Sequence, residues 1–258
     1  MTLQRAAEHI QRDIGSLSRI ENGLIAARAA DVLALLNLYG VTDETLRQGL
    51  ERLARDARNK GWWDGYDAKA MGGMIDHAWI EARADEIRSY DVMAVPGLLQ
   101  THEYARSTIK SADPDARPET IDHWVDFRMR RQQILTQEKP VQVTAILDEA
   151  VLRRMIGGAD IMHAQLRKLA DLAAHPSITI HVLPFHANTC VSVQGPFTIF
   201  TMPDPFPDVA YVETRGGDVY VEEPRAEKFA QAYNYLRKAA LAPEESAALI
   251  SVMAEQIR

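Results

Sequence analysis

Residues 13–23 read DIGSLSRIENG, and one side chain in that stretch is suited to reading a base. The guanidinium of Arg19 can donate two hydrogen bonds to guanine O6 and N7, worth about 1–3 kcal/mol of discrimination against other bases. Around it Ser16, Ser18 and Asn22 are short hydrogen-bonding residues suited to phosphate oxygens, and Thr2 stands where a helix N-terminus can face a phosphate. Two other clusters invite chemistry less well. Asp148 and Glu149 are adjacent and do not face one another on a helix, whereas Glu149 and Arg153 have the i,i+4 spacing of an ordinary ion pair. His181, His186 and Cys190 match no common zinc-ligand spacing, and no fourth ligand is evident. Strand alternation instead makes His181 a solvent-facing or edge residue. There is no phosphate-binding glycine loop, no Gly-x-Ser-x-Gly elbow and no His-Glu-x-x-His, so neither an enzyme nor a metal or cofactor protein is expected.

The elements that must hold Arg19 are legible from periodicity. TLQRAAEHI offers Thr2 as cap and an apolar face of Leu3, Ala6, Ala7 and Ile10. DIGSLSRIEN begins at a capping Asp13, turns Leu17 and Ile20 inward and stops at Gly23. Two further helices follow, one ending at Gly40 and one opening at Thr42 or Asp43. Ala7 is small enough for a second helix to cross tightly above it, with Ile10, Leu17 and Ile20 as the remaining contact. The exposed side of the second helix then presents Ile14, Gly15, Ser16, Ser18 and Arg19. Spacing alone leaves two readings open, a helix-turn-helix or two ordinary amphipathic helices.

After residue 60 the pattern changes. Residues 61–75, which include Trp62, Trp63 and Tyr66, read as a linker or docking segment. Helices are expected over 76–90, 97–110 and 117–137, with Pro96 breaking the first from the second while Leu98, Leu99 and Tyr104 fill a core. Period-two segments follow at 141–147, 178–183, 197–202, 209–214 and 218–223. Helices at 148–156 and 159–174 separate the first two, and helices at 224–240 and 244–257 close the chain. The fold class is therefore α+β: an all-α domain over 1–60, then over 76–258 a mostly antiparallel sheet of about five strands flanked by helices.

Composition bounds the partners. No run approaches eighteen apolar residues and Met1 is followed by Arg5, Glu8 and Arg12, which argues against a membrane span or a secretory signal. The single cysteine suits a reducing cytosol. Of the net charge of −7, residues 1–60 contribute nine Lys/Arg against eight Asp/Glu, and the remainder twenty against twenty-eight. Neither part has the basic excess of a nonspecific nucleic-acid binder, so if double-stranded DNA is the partner, specific contacts and dimerisation must supply most of the affinity.

LSRIENG at 17–23 with VLALLNLYGV at 32–41 resembles the xenobiotic-response-element class of helix-turn-helix repressors. VPGLLQTHEYAR (95–106), RRQQIL (130–135), LDEAVLRR (147–154), ITIHVLPF (178–185) and GPFTIF (195–200) resemble WhiJ-like actinomycete regulators with a large C-terminal domain. That resemblance implies a cytoplasmic transcriptional regulator, a homodimer, whose C-terminal domain takes up a small protein encoded by a neighbouring gene, or a ligand. It also implies base contacts at Ile14, Gly15 and Arg19 and phosphate contacts near Ser16, Asn22 and Arg28. Two positions depart from the pattern. Gln11 occupies a turn position that usually holds glycine, at a cost of about 1–2 kcal/mol if left-handed. The family's first helix falls before Thr2, which leaves Glu21 without its arginine. Either the coding start lies upstream, which the preserved remainder of the motif favours, or the DNA-binding part is vestigial and the protein is an antitoxin-like interaction module.

Overall fold

The computed structural model describes residues 1–58, 61–66, 71, 73–189, 195–214 and 216–257, and Cys190 lies outside them. It divides into two compact units, Met1–Gly65 with Asp204–Phe206, and Tyr66–Pro203 with Pro207–Arg258.

The first unit contains α1 (Leu3–His9), α2 (Ile14–Glu21), α3 (Ala29–Leu38) and α4 (Glu44–Asp56). Ala6, Ala7, Ile10 and Leu17 form its buried centre, with Leu3, Ala34, Leu35 and Leu38 packed against them. Three successive helices end in the same way. The left-handed residue after each cap donates to a carbonyl of the last turn, and the next residue donates one carbonyl further back. At α2 the left-handed residue is Gly23 (φ 70°), with Leu24 N to Arg19 O at 2.8 Å; at α3 it is Gly40 (φ 70°), with Val41 N to Leu36 O at 3.0 Å. At α1 it is Gln11, at φ 54°, with Arg12 N to Ala7 O at 2.9 Å. The turn into α2 thus has the geometry expected of a glycine and a residue that strains it. Arg12 then reaches Asp31 in the first turn of α3 at 2.9 Å, tying the turn to the third helix.

In the second unit α5 (Met74–Glu81) precedes β1 (Glu86–Asp91), and α6 (His102–Ala112) and α7 (Pro118–Arg131) lead to β2 (Gln142–Asp148). Helices α8 (Glu149–Arg153) and α9 (Ala159–Leu172) lead to β3 (Ile178–Leu183). Then come β4 (Phe197–Thr201), β5 (Val209–Thr214), β6 (Gly217–Val221), α10 (Ala226–Ala239) and α11 (Pro243–Gln256). The six strands lie in the order β3-β2-β1-β4-β5-β6. Pairings β1–β2 and β2–β3 are parallel, and β1–β4, β4–β5 and β5–β6 antiparallel. One face packs Val143, Leu147, Ile180 and Phe200 with Leu99, Tyr104, Leu166 and Ile250. On the other, Tyr90, Ile146 and Ile199 lie under Tyr233 and Leu236 of α10. The α+β class stands, with a mixed sheet.

Two expectations from periodicity need correction. Residues 86–91 are a central strand rather than the end of a helix over 76–90. EIRSYD lacks an apolar alternation, and its charges suit a helix surface. Pairing on both edges and local partners settle it as strand: Arg88 donates to Asp208 at 2.7 Å and Thr201 at 3.0 Å, and Ser89 to Asp91 at 2.7 Å. Helix α6 also starts later than residue 97. Pro96 opens a short 3-10 turn, Gly97–Leu99, and Thr101 caps α6 by accepting from Tyr104 N. The buried side chain of Gln165 secures this corner, accepting from Thr101 N at 2.7 Å and donating to Leu99 O at 2.9 Å.

A buried ion pair joins α5 to α7. Arg131 donates to Glu81 through Nε at 2.8 Å and Nη2 at 2.6 Å, and His77 Nε2 stands 3.1 Å from the same carboxylate. Burial alone would raise the Glu81 carboxyl, but Arg131 and then His77 overcome it and hold the group down at about 2.

Two predictions follow from these features. Gln11→Gly removes the left-handed strain, partly offset by the greater freedom of glycine in the unfolded chain, and raises the stability of the first unit by about 0.5–1 kcal/mol in urea unfolding. Glu81→Gln leaves Arg131 buried without its counter-charge and costs about 3–5 kcal/mol at pH 7. Because the folded carboxyl titrates near 2 rather than near 4.5, the contribution is complete above 4.5 and fades as pH falls through 2. The stability gap between wild type and variant, measured by urea unfolding, narrows over that window.

Candidate nucleic-acid interface

Helix α2 is fixed from below by Leu17, which is fully buried, and from its start by Asp13. Asp13 Oδ1 accepts from Ser16 N at 2.8 Å and Oδ2 from Ser16 Oγ at 2.5 Å. Those bonds, the side-chain one foremost, hold the Asp13 carboxyl below its usual range, so the cap stays ionised and accepting. Arg19 Nη2 donates in turn to Ser16 Oγ at 3.2 Å. Cap, serine and arginine therefore form one chain along the outer face of the helix, which restricts the guanidinium before any partner arrives.

Each residue marked from sequence has a definite place. Ile14 is 47% exposed, Gly15, Arg19, Asn22 and Arg28 are exposed, and Ser16 and Ser18 are half-buried. Asn22 turns back, its amide nitrogen donating to Ser18 O at 2.7 Å and more weakly to Ser18 Oγ at 3.4 Å. Arg28 precedes α3 and reaches α2 only across a hollow that it lines together with Ser16. Glu21 is exposed, with Tyr39 Oη 3.5 Å away, so its charge is hydrated rather than buried without a partner.

An open hollow of about 430 Å³ lies beside α2, lined by Arg12, Ser16, Arg28, Asp31 and Arg58 among others. Its ion pair is Arg12–Asp31; among the described residues Arg28 and Arg58 make none. Two uncompensated guanidiniums around a serine suit an anion such as a backbone phosphate. Arg12 and Arg58 were not legible as site residues. Arg12 sits in the turn, and Arg58 lies thirty positions beyond Arg28 at the far end of α4, where only the fold brings it round.

The discounted clusters have structural roles. Asp148 Oδ1 caps α8 by accepting from Ala150 N at 2.9 Å. Glu149 accepts from Arg153 Nε at 2.7 Å and from Phe185 N at 2.9 Å. His181 sits on the edge strand β3 with Nδ1 2.9 Å from Leu241 O. Among the described residues no three His, Cys, Asp or Glu side chains gather as a metal site, and no helix is long and apolar enough to cross a membrane. Trp62 and Trp63 meet edge to face at 5.5 Å, while Tyr66 packs on Phe127 at 4.9 Å and donates to Asp126.

Residues 1–49 match the family described as a helix-turn-helix domain, and residues 74–252 match the family described as a domain of unknown function (DUF5753). No curated protein and no solved structure matches the chain. The second match spans more than half of the sequence, and the chain therefore belongs to the DUF5753 family, with a helix-turn-helix domain ahead of the family's own domain.

Proposed function

We propose that the protein is a sequence-specific DNA-binding transcriptional regulator of the xenobiotic-response-element class, acting in the cytoplasm as a homodimer. Two copies of α2 enter successive major grooves about 34 Å apart. The observation that carries this reading is the Asp13–Ser16–Arg19 chain on the outer face of α2, inside the matched helix-turn-helix residues. Arg19 reads guanine, Ile14 touches a thymine methyl, and Gly15 lets the backbone come close to the base edge. Ser18, Asn22 and Arg28 hold phosphates, joined by Arg58 across the hollow, while Ser16, whose hydroxyl is given to Asp13 until a phosphate displaces it, positions Arg19. The C-terminal domain takes up a small partner protein or a ligand. By linkage, an effector that binds the DNA-competent form better is itself held more tightly by the DNA-bound form.

The near-neutral charge of residues 1–60 favours a second reading, an antitoxin-like interaction module whose DNA-binding part is vestigial. The intact cap of α2 and the paired hydrogen bonds of Gln11 and Arg12 in the turn before it support the first. Mobility shifts on fragments selected from a random pool separate the two. Arg19→Ala weakens binding to the selected site about 5- to 150-fold and relaxes preference at one base pair. Arg28→Ala weakens all sequences alike and lowers the salt slope by about one. Retention that ignores both sequence and Arg19→Ala contradicts the specific reader. Co-purification of a small neighbouring-gene product, with no fragment shifted, supports the module.

A further inference from the structure

A cavity of about 850 Å³ opens in the C-terminal unit between β1 and helices α6 and α7, a volume that suits a small organic ligand. Helices α6 and α7 line it with Ile109, Ile121 and Trp124 beside Thr108 and Thr120, and its floor on the central strand carries Ser89 and Asp91 beside Ile87.

Two arginines one turn apart on α7 line this space and differ in how they are satisfied. Arg131 is matched by Glu81, which accepts from its Nε and Nη2 together. Arg128 has only neutral partners: Nη1 donates to Gln100 Oε1 at 2.8 Å and to Thr108 Oγ1 at 3.0 Å. Its Nε is buried without a hydrogen-bond partner, and among the described residues it makes no ion pair. Burial, and next the charge of Arg131, lower Arg128 to about 10. Lys168, outside the lining, donates to Gln100 O at 2.8 Å and Gln132 Oε1 at 3.0 Å, again neutral acceptors. A desolvated cation with an unsatisfied donor is costly to keep unless a partner arrives from outside.

The acids of the cavity do not cancel this charge. Glu81 is committed to Arg131, while Asp113 and Glu213 are exposed and among the described residues pair with neither arginine; Glu213 and Glu81 act on Arg128 only at a distance. Asp91 accepts from Ser89, and burial pushes its carboxyl up to about 7, so near neutrality much of it is protonated and able to donate.

We propose that this cavity binds a small amphipathic organic anion, its carboxylate or phosphate head on the guanidinium of Arg128 and its apolar body along Ile109, Ile121 and Trp124. The inference rests on the C-terminal domain being the effector-binding half of the regulator. Its test uses no DNA, so its failure is distinct from failure of the DNA reading.

The full chain is titrated with 8-anilinonaphthalene-1-sulfonate, which combines an anionic head with an aromatic body, and its fluorescence is followed. One saturable site per chain is expected. Decanoate and decyl phosphate displace the probe, and whichever acts at lower concentration identifies the head group. Decyltrimethylammonium does not displace it. Arg128→Gln weakens probe binding tenfold or more, Ile109→Trp fills the space and abolishes it with Arg128 intact, and Arg19→Ala leaves it unchanged. Near-UV circular dichroism checks each fold; should Arg128→Gln not fold, Ile109→Trp and the wild-type preference for anions decide. Equal displacement by the cationic amphiphile, or unchanged binding in a folded Arg128→Gln or Ile109→Trp, overturns the proposal.

Discussion

A polar strand at the centre of the sheet is the constraint on which the C-terminal unit depends. β1 pairs in parallel with β2 on one edge and antiparallel with β4 on the other, so both halves of the sheet are registered on it. A central strand normally earns its position through apolar side chains, yet this one carries Glu86, Arg88, Ser89 and Asp91. Each buried polar group must find a partner or cost more than a lost hydrogen bond. Arg88 finds Asp208 and Thr201 on one face. Ser89 and Asp91 find each other on the opposite face, at the floor of the cavity. Above them, the Glu81–Arg131 pair holds α5 against α7. The same polarity that weakens β1 as a strand equips the space over it.

The helical unit rests on a smaller constraint. Its α1–α2 turn must be tight for Ala7 to lie beneath α2, and that requires a left-handed residue. Gln11 adopts the conformation at a cost that Gly23 and Gly40 avoid at the two following helix ends. Arg12, the next residue, binds Asp31 and anchors the turn to α3.

Much of the architecture was readable in local chemistry. Thr2, Asp13 and Asp43 cap the helices assigned to them, because a short oxygen-bearing side chain ahead of an amphipathic run has few better uses. Five strands stood out through their β-branched and aromatic content. β1 did not, because its strand character comes from neighbours more than fifty residues away in sequence rather than from its own side chains. The cavity was hidden for the same reason: Arg128 and Arg131 look alike as letters, and only Glu81, fifty residues upstream, tells them apart. The hollow beside α2 shows the effect on a smaller scale, since Arg58 joins Arg28 only once α4 has folded.

DNA recognition by α2 is the central claim, and methylation interference on sequences enriched from a random pool by the full chain tests it most directly. The account predicts two half-sites centred about one helical turn apart, with binding blocked when guanine N7 is methylated in each. Enrichment of no sequence, or an enriched site indifferent to methylation at guanine N7, would contradict it.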